Sequence, residues 1–330
     1  MKKKLINNPD NAVTEMVEGI IMANPDKLKK LEGFNILVRK DAPNKKVGLV
    51  SGGGSGHEPS HAGYVGRGML DAAVVGDVFT SPTPDAVFEA IKAVDGGEGV
   101  LLIIKNYTGD VMNFEMAEEM AQAEGIKVDH VVVNDDVAVE DSLYTTGRRG
   151  VAGTVFVHKI AGAVAERGGS LEEVKKAAEK VIANVRTKGM ALYPCRVPSA
   201  DKSTFTLAED EIELGIGIHG EPGTKRTSIM SADEIVGDLT NSVLDDLPFK
   251  AGDDVVLMIN SMAATPLMEL FIANKRVNEI LEDKGIKIHK TFIGEFMTSL
   301  EMTGFSITLL KLDNELKELL KYPTEINLLR

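Results

Sequence analysis

Three loops of this 330-residue chain carry side chains suited to chemistry on a small polar molecule. They are Ser51-Gly52-Gly53-Gly54-Ser55-Gly56-His57-Glu58-Pro59, Lys105-Asn106-Tyr107-Thr108-Gly109-Asp110 and Gly215-Ile216-Gly217-Ile218-His219-Gly220-Glu221-Pro222-Gly223. A neutral imidazole at His219 is a nucleophile or a base, and glycines beside it let another molecule come close. His57 and Asp110 supply proton acceptors or donors. Lys105 supplies a positive charge, and the glycine N–H groups can recognise an anion or a hydroxyl. This kit suits a small polyhydroxy or carbonyl compound. It lacks the lysine-terminated phosphate loop and the paired-acid magnesium site of nucleotide chemistry.

Each residue also has a structural reading. His219 can be a histidine satisfied by backbone groups in a tight turn. His57 can cap the turn after it, and Asp110 can be a helix N-cap, which does not exclude a catalytic role. A lone Lys105 at the end of a buried strand needs a partner. His61, four residues after His57, is expected to pack or cap, since no third metal ligand is placed beside the pair. His130, His158 and His289 read as structural, and Cys195 as a small core residue. Asn134-Asp135-Asp136 reads as a solvated loop or a cap rather than a metal site. No metal site is expected.

The elements that must position these loops follow from periodicity and breakers. Helices are expected near 12–23, 84–94, 112–123, 152–167, 171–187, 232–247, 265–282 and 315–321. Thr83 is the expected N-cap before Pro84, and Ser170/Glu173 and Ser231/Glu234 have capping-box spacing. Strands are expected near 35–38, 46–50, 70–75, 100–104, 128–133, 190–198, 203–208, 211–214, 254–259, 286–293 and 305–312. The fully apolar Val100–Ile104 reads as a central parallel strand buried on both faces. Residues 141–150 form a loop with Tyr144, Arg148 and Arg149, and 221–226 reads as exposed. The fold class is α/β: two α/β domains with mixed sheets, 1–188 and 189–330, and a substrate site between or near them. The first carries the Gly-rich loop and the second carries His219.

Composition narrows the partners. A net charge of -13 argues against a general grip on nucleic acid and against an anionic membrane surface. The apolar fraction of 43% is ordinary for a globular protein. The single cysteine, Cys195, fits a reducing, cytoplasmic compartment. The basic start, Met1-Lys2-Lys3-Lys4, lacks the apolar run of a signal peptide, and no apolar stretch approaches the roughly 20 residues of a membrane span.

The three loops, together with Phe79-Thr80-Ser81-Pro82-Thr83-Pro84 and Thr298-Ser299-Leu300-Glu301-Met302-Thr303-Gly304-Phe305-Ser306, resemble the dihydroxyacetone kinase family. The resemblance runs from near residue 5 to past residue 312. It implies a substrate-binding K subunit of the bacterial phosphotransferase-system type, which forms a homodimer. The phosphoryl donor would then be ADP/ATP with magnesium on a separate L subunit. A phosphocarrier M subunit would recharge it from phosphoenolpyruvate. No cofactor is implied on this chain. His219 would bond covalently to the ketone carbon of dihydroxyacetone as a hemiaminal, which glycerol cannot form. Gly54, Ser55, Gly56, Ser81 and Lys105 would bind substrate oxygens. His57 would stabilise the hemiaminal and take a proton, and Asp110 would be the general base. Two other functions fit the same resemblance: a ketone-binding coactivator of a transcription regulator, and a kinase subunit for a related ketose such as erythrulose. His57 and Asp110 favour catalysis.

Overall fold

The computed structural model of the protein describes residues 4–140 and 145–326. In chain order its elements are α1 (Ala12–Ala23), β1 (Leu28–Lys30), β2 (Ile36–Arg39), β3 (Gly48–Ser55), β4 (Ala72–Val78), α2 (Pro84–Val94), β5 (Val100–Lys105), α3 (Thr108–Ala123), β6 (Val128–Val133), α4 (Thr154–Glu166) and α5 (Leu171–Asn184). They continue as β7 (Val185–Tyr193), β8 (Glu211–Leu214), β9 (Lys225–Ser228), α6 (Ala232–Asp246), β10 (Asp254–Ser261), α7 (Leu267–Asp283), β11 (Lys287–Gly294), β12 (Thr303–Leu312) and α8 (Asn314–Leu320). Tyr144 lies outside the described residues.

Two six-stranded mixed sheets organise the chain, in the orders β1-β2-β4-β3-β5-β6 and β11-β10-β12-β7-β8-β9. In the first, β4, β3, β5 and β6 run parallel, and β2 joins β4 antiparallel. The chain leaves β3 to one side as β4, then crosses to the other as β5. A crevice forms at the carboxyl ends of parallel strands where the order reverses in this way.

Period-two patterning decides what covers each face. In β5, Leu101 and Ile103 join the apolar cluster of α4 and α5, while Val100, Leu102 and Ile104 join that of α2 and α3. In β10, Val256 and Met258 belong to the same α4–α5 cluster, and Val255, Leu257 and Ile259 pack with α6 and α7. The central helices therefore lie between the two sheets. Helix α4 is buried on nearly every side, as a helix covered by two sheets must be.

Several elements depart from the sequence-based expectation. Strand β3 continues through Gly52–Ser55, where a loop is expected. The glycines suit a strand here because its neighbours come too close for side chains. A Cβ on Gly52 would meet the Val74 carbonyl oxygen at 2.4 Å, and one on Gly54 the Thr80 nitrogen at 2.5 Å. Helix α3 starts at Thr108 with Tyr107 at the N-cap position, so Asp110 sits in the first turn rather than at the cap. Thr83 holds the expected N-cap position of α2 without a side-chain cap bond, whereas both capping boxes form. Residues 203–208 form no strand, because this segment folds over the site and contributes Thr204 and Phe205 to its wall. Asp135 and Asp136 are buried rather than solvated: Asp135 accepts from the Val151 and Gly153 N–H groups, and Asp136 pairs with Arg149. Part of 221–226 is β9, and Glu221 is buried. The boundary expected between Lys188 and Gly189 falls inside β7; we propose a division at the α5–β7 junction.

Candidate active site

The carboxyl ends of β3, β4 and β5 face the loop that follows β8. Between them opens a pocket of about 980 Å³, with Gly54, Ser81, Tyr107, Asp110, His219 and Glu221 in its wall. The β11–β12 connection ties the two sides together. Leu300 N–H donates to the Gly56 carbonyl at 2.7 Å, and Thr298 N–H to the His57 carbonyl at 3.2 Å. Ser299 Oγ donates to the Ile218 carbonyl at 2.5 Å. One short connection therefore fixes the His57 turn and the His219 loop relative to each other.

On the first side stands an acid–lysine pair. Lys105 Nζ lies 3.1 Å from Asp110 Oδ2, and Ser81 Oγ donates to Asp110 Oδ1 at 2.5 Å. Both charged side chains are nearly fully buried. Gly53 makes room for the lysine, since a Cβ there would sit 2.7 Å from Nζ. Lys105 is the partner of Asp110 and stands behind it; it does not line the pocket.

Where the two sides meet stands a histidine pair, His57 from the first and His219 from the second. His57 Nε2 lies 3.0 Å from His219 Nε2, and His57 Nδ1 lies 2.8 Å from the Thr298 carbonyl. His219 Nδ1 lies 3.0 Å from Glu221 Oε1, and His219 N–H donates to Glu221 Oε2 at 2.9 Å. The proton positions follow from the partners. A carbonyl only accepts, so His57 Nδ1 carries a proton. Burial, then the charges of His219 and Lys105, pushes His57 well below the usual histidine range, so its ring is neutral and its Nε2 accepts. His219 Nε2 therefore donates. Glu221 is opposed by burial, but His219 and Arg149 hold its pKa at about 2, so it is an acceptor and His219 Nδ1 also carries a proton. Phe79 stacks on His57 at 5.1 Å, and Tyr107 meets the His219 ring edge-on at 4.6 Å.

Of the residues singled out by sequence, Gly54, Ser81, Asp110 and His219 reach the pocket wall. His57 and Lys105 stand directly behind, bonded to His219 and Asp110. Ser55 and Gly56 are turned elsewhere: Ser55 Oγ donates to the Gly76 carbonyl, and Gly56 N–H donates to the Glu58 carboxylate. His61 pairs with His158 at 2.9 Å inside the core; burial, then Lys105, pushes His158 down to about 3. His130 bonds Glu118 at 2.6 Å. With Asp129 these two form the one cluster of metal-ligand type found among the described residues, but Lys175 already holds Asp129 at 2.7 Å and none of the three lines the pocket. Sequence reasoning missed Glu221, Arg149, Phe79 and Tyr107 as parts of the site. The signal for Glu221 was its place two residues after His219.

Fold and site together define a class: a two-sheet α/β protein whose pocket sets a buried acid–lysine pair opposite a histidine pair. The Dak1 domain profile matches residues 18–328, and the chain belongs to the Dak1 domain family. It is 57% identical over 324 residues to the Listeria innocua "PTS-dependent dihydroxyacetone kinase 1, dihydroxyacetone-binding subunit DhaK", covering 98% of each chain. Its structure superposes with a TM-score of 0.90, at 36% identity, on the dihydroxyacetone kinase of C. freundii, covering 98% of this chain and 60% of that one. It also superposes on "Dihydroxyacetone kinase operon co-activator Dha-DhaQ" with a TM-score of 0.89 at 39% identity, covering 94% of this chain and 96% of that one.

Proposed function

We propose that this protein is the dihydroxyacetone-binding subunit of a phosphoenolpyruvate-dependent dihydroxyacetone kinase. His219 captures the ketone covalently. In the capture step the Nε2 proton first passes to His57 Nε2, which frees the Nε2 lone pair; that pair bonds to the carbonyl carbon, the C=O π pair moves onto oxygen, and His57 gives the proton to that oxygen. The product is a hemiaminal with its hydroxyl beside a neutral His57, and atoms and charge balance without another reactant. Asp110 then takes the proton of the substrate hydroxyl that attacks phosphorus, and Ser81 and Lys105 hold the carboxylate for that task. Gly54 offers close backbone contact to a substrate oxygen. Ser55 and Gly56 shape the strand end beneath it.

The observation that carries this reading is the His57–His219–Glu221 chain of hydrogen bonds on the wall that faces Asp110. We assign the phosphoryl donor, ADP/ATP with magnesium, to a separate L subunit served by a phosphocarrier M subunit, and the compartment to the cytoplasm. No helix among the described residues is long and apolar enough to cross a membrane. We propose a homodimer as well. Leu267, Met268, Phe271 and Ile272 expose one apolar face of α7, which suits contact with a second copy.

The likeness to the co-activator favours a second reading, in which the ketone is captured but no phosphate is transferred. The test is a reconstituted assay with L and M subunits and phosphoenolpyruvate, comparing dihydroxyacetone, glyceraldehyde, erythrulose and glycerol. The first reading predicts rapid turnover of dihydroxyacetone and none of glycerol. Preference for erythrulose would reassign the ketose. Capture without transfer to any of them would replace the kinase reading with the co-activator one.

A further inference from the structure

We infer that Glu221 is a positioning residue for ketone capture: it fixes the protonation and direction of the His219 ring and balances the cation that the ring is both before and after it bonds to carbon. The inference rests on the covalent reading above.

Both carboxylate oxygens of Glu221 are committed to His219, one to its Nδ1 and one to its backbone N–H. This double hold leaves the ring no freedom to flip and points Nε2 at His57. The carboxylate fits only because residue 217 is glycine: a Cβ there would sit 2.0 Å from Glu221 Oε2 and 2.6 Å from Arg149 Nη1. The glycines of this loop thus admit the chain's own groups. Gly220 and Gly215 have positive φ, and a Cβ on each would meet Thr204 and Ala138 at 2.8 and 2.7 Å.

Behind the carboxylate is a wholly buried guanidinium. Arg149 donates through Nε and Nη2 to Asp136, and through Nη2 to the Gly215 carbonyl. Its Nη1 has no hydrogen-bond partner among the described residues and is directed into the space beside Gly217 and Glu221. Asp136, Arg149, Glu221 and His219 therefore form a line of alternating charge. It sums to zero when the His219 ring is a cation and to minus one when the ring is neutral. A buried unbalanced charge is strongly unfavourable. Capture replaces the Nε2 proton with a carbon and keeps the ring cationic, so the buried sum does not change. The other titratable groups facing the ring are His57, Tyr107 and, across the pocket, Asp110 with Lys105.

The test uses the full-length protein with dihydroxyacetone labelled at its carbonyl carbon and nitrogen-labelled histidine, both read by NMR. In the wild type we expect a tetrahedral adduct carbon, and protons on both His219 ring nitrogens before capture. In Glu221→Gln, which keeps size and removes charge, we expect one ring proton to be lost. The adduct population should fall about 10- to 100-fold, as removal of one charged hydrogen bond predicts. A purely structural residue would lower the adduct without changing ring protonation. Unchanged ring signals, or an unchanged adduct population, would overturn the inference while leaving covalent capture intact. Absence of any adduct in the wild type would instead overturn the covalent reading. If Glu221→Gln does not fold, the wild-type adduct still decides: Nδ1 must remain protonated, and an unprotonated Nδ1 overturns the proposal.

Discussion

At the scale of single residues, the site depends on groups whose neighbours hold them in one protonation state. Glu221 shows the consequence for stability. Its carboxyl is depressed from an ordinary 4.5 to about 2; burial works against that, and His219 and Arg149 outweigh it. A depressed carboxyl contributes stability that is fully present above its unfolded pKa and is lost as pH falls through the folded one. The urea-midpoint gap between wild type and Glu221→Gln should therefore be widest near neutral pH and close between about pH 4.5 and 2. A gap that does not change with pH would contradict this account. Asp110→Asn should keep ketone capture and lose about 10²- to 10⁴-fold in phosphoryl transfer, the usual contribution of a general base. Wild-type turnover would remove Asp110 from that role. Truncating Arg149 to Ala strands Asp136 as a buried unpaired charge, which costs about 3–5 kcal/mol and should appear as a large drop in urea midpoint. The catalytic residue types were visible in the sequence because His219, His57, Lys105 and Asp110 stand in glycine-rich or strand-end contexts. Their supports were not. Glu221 left only its spacing from His219 as a sign that it bends back onto that residue, and nothing local tells that Arg149 reaches it from another part of the chain.

At the scale of elements, the glycines decide which backbones can approach. Gly217→Ala should leave the sheets intact, because the clash falls on the side chains of Glu221 and Arg149, but displace the Glu221 carboxylate from His219. The expected result is a folded protein by circular dichroism with ketone capture reduced as in Glu221→Gln. Full capture would show that the carboxylate is not needed there. Periodicity made most of the elements readable: β5 is apolar along its length because helices cover it on both sides, and α1 and α2 end where Asn24-Pro25 and Asp95-Gly96-Gly97 break them. The errors have a common physical cause. Gly52–Gly54 lack strand propensity, yet they form β3 because two neighbouring backbones crowd them. Residues 203–208 alternate like a strand but have no sheet partner among the described residues. Asp135 and Asp136 look solvated in sequence, but backbone donors before α4 and the Arg149 guanidinium satisfy them inside the core.

At the scale of the molecule, the pocket needs both sheets. The first brings the acid–lysine pair and His57, the second brings His219, and Thr298–Leu300 holds them together. That arrangement was half legible. Strand ends in the first half and a histidine loop in the second pointed to a shared pocket, whereas the clasp joins residues far apart in the chain and leaves no periodic trace. Sedimentation should show a dimer, and Phe271→Glu on the exposed face of α7 should weaken it; a wild-type monomer would contradict the proposed assembly. The central claim is covalent capture at His219. Its most direct test is intact-mass measurement after incubation with dihydroxyacetone, followed by peptide mapping. Capture predicts a gain of one substrate mass on the peptide bearing His219 and no gain in His219→Ala. An equal gain in His219→Ala, or none in the wild type, would contradict it.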